Sequence, residues 1–226
     1  MLNNQVIAVV AAAAFSLPLA GQAATYDATT DFSITNGNPN GVWSYGYETT
    51  LGGPLNLYVN SGTENGNLFW RTNAITNLGA PVDAVNPDNV QHGLLPPHTL
   101  DFHPGGNGEF SIFRFTAPST GAYVLTSSFG ALDSGGTDVH VLLNGIPLTS
   151  MEISPSSPSG SFNAPLVLTT GEFVDFAVGV GTDGNFFSDS TSLSATFTTS
   201  AVPEPGTLAL LATGLAGLAL RRRRTA

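Results

Sequence analysis

Three features of the sequence predict an all-β fold, an antiparallel jelly-roll-like β-sandwich. About nine short segments between residues 41 and 197 are rich in β-branched and aromatic residues and alternate at roughly period two. Turn-forming residues separate them, and none carries the 3.6-residue apolar period of an amphipathic helix. No unit of roughly 20–50 residues repeats, which argues against solenoids and propellers. The chain has no cysteine, so its 14 Phe, 5 Tyr and 2 Trp must build a core without disulfide support.

Residues 1–23 are expected to be a signal peptide. Val6 to Leu19 is an apolar stretch of 14 residues, a signal-peptide length and too short to span a bilayer. Small residues follow, and Gly21 and Ala23 suit the sites just before a cut, which falls between Ala23 and Ala24. Met1 to Gln5 contains no Lys or Arg, so only the α-amino group supplies the positive start. Such a segment implies the Sec export machinery and signal peptidase as partners.

The ectodomain is expected to be one β-sandwich over residues 24–201. Its strands are predicted at 41–47, 55–59, 67–71, 109–115, 121–126, 138–143, 164–168, 172–178 and 192–197. Asn144-Gly145, between Leu143 and Ile146, is a two-residue hairpin signal, and Thr170-Gly171 separates a second pair. Thr72 to Pro104 breaks the rhythm with five prolines and three histidines, and is predicted to be a long crossover along the sandwich.

Residues 202–226 have a different composition. Val202-Pro203-Glu204-Pro205 precedes an apolar run, Gly206 to Leu220, and then Arg221, Arg222, Arg223 and Arg224. The prolines fix φ and remove N–H donors, which keeps that stretch extended and accessible. The run of 15 residues would form a helix of roughly 22 Å, short for a span, and arginine snorkelling can cover the deficit. The arginines resist crossing and hold the C-terminus in the cytoplasm. This order of triplet, apolar helix at about 206–220 and arginine cluster resembles the PEP-CTERM sorting signal of Gram-negative bacteria. The resemblance implies processing by an exosortase near Pro203-Glu204-Pro205 and a host that makes extracellular polysaccharide. It implies an inner-membrane-anchored intermediate with a periplasmic ectodomain, then a cell-surface or extracellular product. The alternative is a plain single-pass anchor.

A second resemblance covers most of residues 31–197. Asn38 to Gly46, His103-Pro104-Gly105, Arg114 to Pro118, Gly121 to Tyr123, Asp138 to Val141, Asn144-Gly145, Asp175 to Gly179 and Asp189 to Thr191 look like a module of other secreted PEP-CTERM proteins. That module is expected to be a sandwich akin to carbohydrate-binding modules, and it implies no reaction.

Charge narrows the partners. The chain has no Lys, and Arg71 and Arg114 are the only basic residues outside the tail, against fifteen acids, for a net charge near −13. Nucleic acid and anionic lipid are therefore poor partners, while divalent cations can bridge to other anions. No metalloprotease, nucleophile-elbow, P-loop or dinucleotide motif is present, so no catalytic residue is assigned and the chain is not expected to be an enzyme. Trp43, Tyr45 and Tyr47 alternate on one strand and share a face, which makes them candidate glycan contacts, together with Trp70 beside Arg71. On the inner face the same residues would be core. Asp133, Asp138, Asp183, Asn185 and Asp189 lie in Gly-rich turns and are candidate calcium ligands, with solvated turn acids as the plainer reading. Asp175 is expected on a wet or metal-linked face, and His140 as a satisfied sandwich-face histidine. The expected task is structural, adhesive or glycan-binding, in exopolysaccharide or biofilm. The rivals are a polysaccharide hydrolase, which needs two opposed carboxylates in a cleft, and an anchored spacer without a ligand.

Overall fold

A computed structural model describes residues 23–73, 75 and 79–199. The signal segment before Ala23, the Pro-Glu-Pro triplet, the apolar run and the arginine cluster lie outside the described residues. Fourteen strands are present: β1 (Thr25–Asp27), β2 (Trp43–Glu48), β3 (Asn56–Leu57), β4 (Asn60–Glu64), β5 (Asn67–Arg71), β6 (Val82–Val85) and β7 (Leu100–His103) in the first half. The second half holds β8 (Phe110–Thr116), β9 (Gly121–Ala131), β10 (Thr137–Leu143), β11 (Ile146–Ile153), β12 (Ser159–Leu168), β13 (Phe173–Gly179) and β14 (Thr191–Thr199). No helix is found among the described residues.

The strands form two antiparallel sheets, the sandwich predicted from the sequence. One sheet runs β12-β9-β14-β7-β6-β5-β4, with β1 also on β14, and the other runs β11-β10-β13-β8-β2-β3. Period-two burial is clearest in β9, where Tyr123, Leu125, Ser127 and Phe129 are buried and Val124, Thr126 and Ser128 are exposed. Between the sheets the aromatic residues pack on one another. Phe115 stacks on Phe197 at 3.8 Å between ring centroids, and Tyr45 meets Phe113 edge-on at 5.1 Å.

The Asn144-Gly145 turn joins β10 to β11 as expected. Asn144 has φ +51° and Gly145 φ +79°, the paired positive values of a type I′ turn, and Leu143 pairs with Ile146 across it. Asn65 (φ +49°) and Gly66 (φ +86°) make a second such turn between β4 and β5.

Two expectations need correction. The segment 72–104 is not one crossover, because β6 and β7 lie within it and pair with each other. Asp175 is not on a wet face. Residues 49–55 fold over the outer side of the second sheet, where Leu51 and Leu55 pack on Ile112, Leu142 and Ala177. Under that cover Asp175 and Glu48 are both 0% exposed and both bond to Arg114.

Residues Ala24–Ser200 form one compact unit. Every strand pair and both faces of the core lie within it. Its first residue is tied to its last strand, because Ala24 N–H donates to Thr199 Oγ1 at 2.8 Å and Thr199 N–H donates to Ala24 O at 2.9 Å. Ala23 is exposed.

Candidate functional site

Of the two readings of the aromatic strand, candidate glycan contacts or core, the structure supports core. Trp43, Tyr45 and Trp70 are 1%, 0% and 5% exposed. Trp43 lies against Phe115 and Phe197, Tyr45 against Phe113 and Trp70, and the Trp70 indole N–H donates to Ser33 O at 2.8 Å. Tyr47 shares their face, half-buried and stacked on Tyr58. Alternation was right about the shared face, but that face is the inner one. A ring without a free face cannot stack on a sugar, so these residues are not a glycan platform.

The neighbours of Trp70 point the other way. With Leu68 and Trp70 packed inward, the pleat of β5 turns Asn67, Phe69 and Arg71 to the outer face. Phe69 joins Ala84, Leu95 and Val82 in a small outer cluster, packed over the bare backbone of Gly62. The Arg71 guanidinium lies 4.4 Å above its ring centroid and bonds Glu64 at 3.3 Å. Around this cluster runs an open groove of about 290 Å³, rimmed by Glu64, Asn65, Asn67 and Arg71. Phe69 is itself 9% exposed, with Gly62 against its ring and Arg71 above it, so what the groove offers a sugar is the rim, where guanidinium, amides and a carboxylate can hydrogen-bond hydroxyls. Asp101 also lines the groove. Thr191 N–H donates to its Oδ1 at 3.0 Å and the Ser190 hydroxyl to its Oδ2 at 3.4 Å, yet burial pushes its carboxyl up to about 7. The sequence signal for this site was the alternation Asn67-Leu68-Phe69-Trp70-Arg71, which places the aromatic and the cation that share a face two residues apart.

The candidate calcium residues gather at one end of the sandwich, in the turns after β9 and β13 and, for Asp138, at the start of β10, and most are already engaged. Asp133 Oδ1 accepts Ser134 N–H at 2.7 Å, Asp183 Oδ1 accepts Asn185 N–H at 3.0 Å, and Asn185 Oδ1 accepts Phe187 N–H at 3.1 Å. Those contacts shape turns, as the plainer reading expects. Asp138 accepts Gly181 N–H at 2.8 Å and bonds His140 Nε2 at 2.7 Å, and burial opposes but does not outweigh these contacts, which hold its carboxyl below the usual range. His140 Nδ1 bonds Ser150 Oγ at 2.7 Å, so His140 is satisfied on the sandwich face. Asp189 differs: it is 1% exposed and neither carboxylate oxygen has a hydrogen-bond partner. Burial, then repulsion from Asp183, Asp133, Asp138 and Glu152, pushes it up to about 7. Among the described residues no three His, Asp or Glu side chains close on one point as a finished metal cage. The loop histidines take nearby partners, His92 on Asp88 and His98 on Asn89, both at 2.8 Å.

The tail is identified by comparison. Residues 201–224 match the PEP-CTERM protein-sorting motif. The chain carries an exosortase sorting signal. The PEP-CTERM tail makes this an exported protein with a membrane-anchored sorting signal at its C-terminus. No curated protein matches the chain. Among solved structures, similarity extends to the CBM51-2 and INT domains of Clostridium perfringens ZmpB, in complex with GlcNAc (10% identity, 45% of this chain, 22% of that one, TM-score 0.36). It extends also to CBM51 from Clostridium perfringens GH95, in complex with methyl-galactose (12%, 45% and 69%, TM-score 0.35). A family 35 carbohydrate-binding module from Clostridium thermocellum is similar at 14% identity, over 60% of this chain and 89% of that one, with TM-score 0.30. The chain thus spans less than a quarter of the ZmpB structure, and likenesses this distant transfer neither a site nor a ligand.

Proposed function

We propose that this exosortase-sorted surface protein is a non-catalytic, glycan-binding or adhesive component of the exopolysaccharide matrix. The observation that carries the reading is the outer-face groove, where Arg71, Glu64, Asn65 and Asn67 surround the Phe69 cluster on a protein addressed to the surface. An acidic body has little attraction for anionic polymers except through such a cation, and Arg71 is one of only two outside the tail.

The test is a pull-down of residues 24–200 with host exopolysaccharide, comparing wild type with Arg71→Ala. The Arg71–Glu64 pair is 41% and 62% exposed, so its loss should cost at most about 1 kcal/mol of stability and the variant should fold. Retention of wild type and at least tenfold weaker retention of Arg71→Ala support the reading. Equal retention, or none, defeats it.

One observation favours a hydrolase instead. Asp101, with its carboxyl pushed up to about 7, lines the same groove as Glu64, as a general acid would. Against this, Thr191 N–H and the Ser190 hydroxyl already engage both its oxygens. Polymer length after incubation separates the two. Shortening by wild type that Asp101→Asn abolishes would establish the hydrolase.

A further inference from the structure

We infer that Asp189 anchors a divalent-cation site of calcium type at the end of the sandwich where residues 132–136 and 180–190 meet. The inference is independent of the glycan groove. It starts from the bare carboxylate. Among the described residues Asp189 is the one acid with both carboxylate oxygens buried and without a hydrogen-bond partner. Buried polar atoms are normally paired, and a carboxylate is the costliest group to leave unpaired. A proton would neutralise the group but leave both oxygens without a partner. A cation would satisfy both at once.

Among the described residues no side chain donates to either Asp189 oxygen. Arg114 is held by Asp175 and Glu48, Arg71 by Glu64, and His140 by Asp138 and Ser150. The charges that act on Asp189 are all negative, with Asp183 and Asp133 the strongest, then Asp138 and Glu152. A divalent ion would turn each of these repulsions into an attraction.

The backbone brings the two segments together at this point. Gly135 N–H donates to Ser188 O at 2.8 Å, and a side chain at position 135 would collide with Asp189 Oδ1. Ser188 takes φ +64° without being glycine. Carboxylates, carbonyls and water are all hard oxygen donors, and the chain has no cysteine to supply a thiolate, which suits Ca²⁺ over softer transition metals. Binding would draw the Asp133 and Asp183 carboxylates onto the anchor, exchanging their turn contacts for the metal.

Residues 24–200, dialysed against chelator, would be titrated with CaCl₂ by calorimetry and followed by thermal unfolding. The expected result is saturable one-to-one binding and a rise in Tm. Asp189→Asn should weaken binding at least tenfold with an unchanged near-UV circular dichroism spectrum. Asp183→Asn, at an exposed turn position, should also weaken binding and guards against a folding defect in the first variant. Asp88→Asn, far along the chain, should bind as wild type. No saturable binding to wild type, wild-type binding by both Asp189→Asn and Asp183→Asn, or equal weakening by Asp88→Asn would overturn the assignment.

Discussion

Arg114 holds Asp175 with two parallel hydrogen bonds, Nε to Oδ1 at 2.6 Å and Nη2 to Oδ2 at 2.9 Å, under the ring of Phe173. The same Nη2 reaches Glu48 Oε1 at 3.4 Å. One guanidinium therefore serves two carboxylates that are 0% exposed, and it cannot neutralise both. Burial, then the charge on Asp175, pushes the Glu48 carboxyl up to about 7. For Asp175 burial outweighs the Arg114 contact, so its carboxyl also sits above the usual range.

Arg114→Met should be strongly destabilising. It strands two buried carboxylates, and breaking a buried pair from one side costs about 3–5 kcal/mol. Urea unfolding of residues 24–200 at pH 7.5 measures this. The loss should shrink toward pH 5, where Glu48, already pushed up to about 7, takes up its proton.

Stability should fall as pH rises through the acid-to-neutral range. Glu48, Asp101 and Asp189 each lie near 7 in the folded chain, against ordinary values of 4.5 for Glu and 3.8 for Asp. Between these limits the folded state binds more protons than the unfolded chain, so stability decreases with rising pH and levels off above about 7. The depressed Asp138 works oppositely, and its contribution is lost only below the ordinary Asp value. Melting in chelator should therefore show an optimum near pH 4–5 and a loss on the order of several kcal/mol by pH 8. A maximum at pH 8 would contradict the burial of these acids.

Phe115→Ala should cost about 3–5 kcal/mol, because Phe115 is 0% exposed and touches Tyr26, Trp43, Tyr123 and Phe197. Phe187→Ser, at a residue 66% exposed, should change stability by less than about 0.5 kcal/mol. Denaturant midpoints of the two variants against wild type test the layout of the core.

The sandwich was legible in the sequence because its long strands carry their own alternation, as in β8, β9, β13 and β14. What escaped was short and polar. In β4, Asn-Ser-Gly-Thr-Glu is an edge strand with no apolar stripe, although Asn65-Gly66 marked its hairpin. In β6 and β7, buried Asp83 and Asp101 break the apolar pattern, and prolines on either side suggest a loop. On β5 the sequence left Trp70 open, as a glycan contact beside Arg71 or as core; the pleat sends Trp70 inward and Phe69 and Arg71 outward. Alternation tells which residues share a face, but only the second sheet decides which face is covered. The acidic turns were visible in the sequence, while the isolation of Asp189 depends on burial and on the absence of partners, which no spacing encodes.

The sorting tail makes a prediction about the mature chain. Cleavage beside Pro203-Glu204-Pro205 should leave a surface-released form that lacks everything beyond about Glu204. Intact mass spectrometry of that form checks it, and a product ending at Ala226 would contradict exosortase processing.

The most direct test of the proposed binding role is to titrate isotopically labelled residues 24–200 with fragments of the host exopolysaccharide and follow backbone amide shifts by NMR. The account predicts perturbations confined to Glu64–Arg71, Val82–Ala84 and Asp101, with Trp43 and Tyr45 unmoved. Perturbations centred elsewhere, or none at saturating fragment, would contradict it.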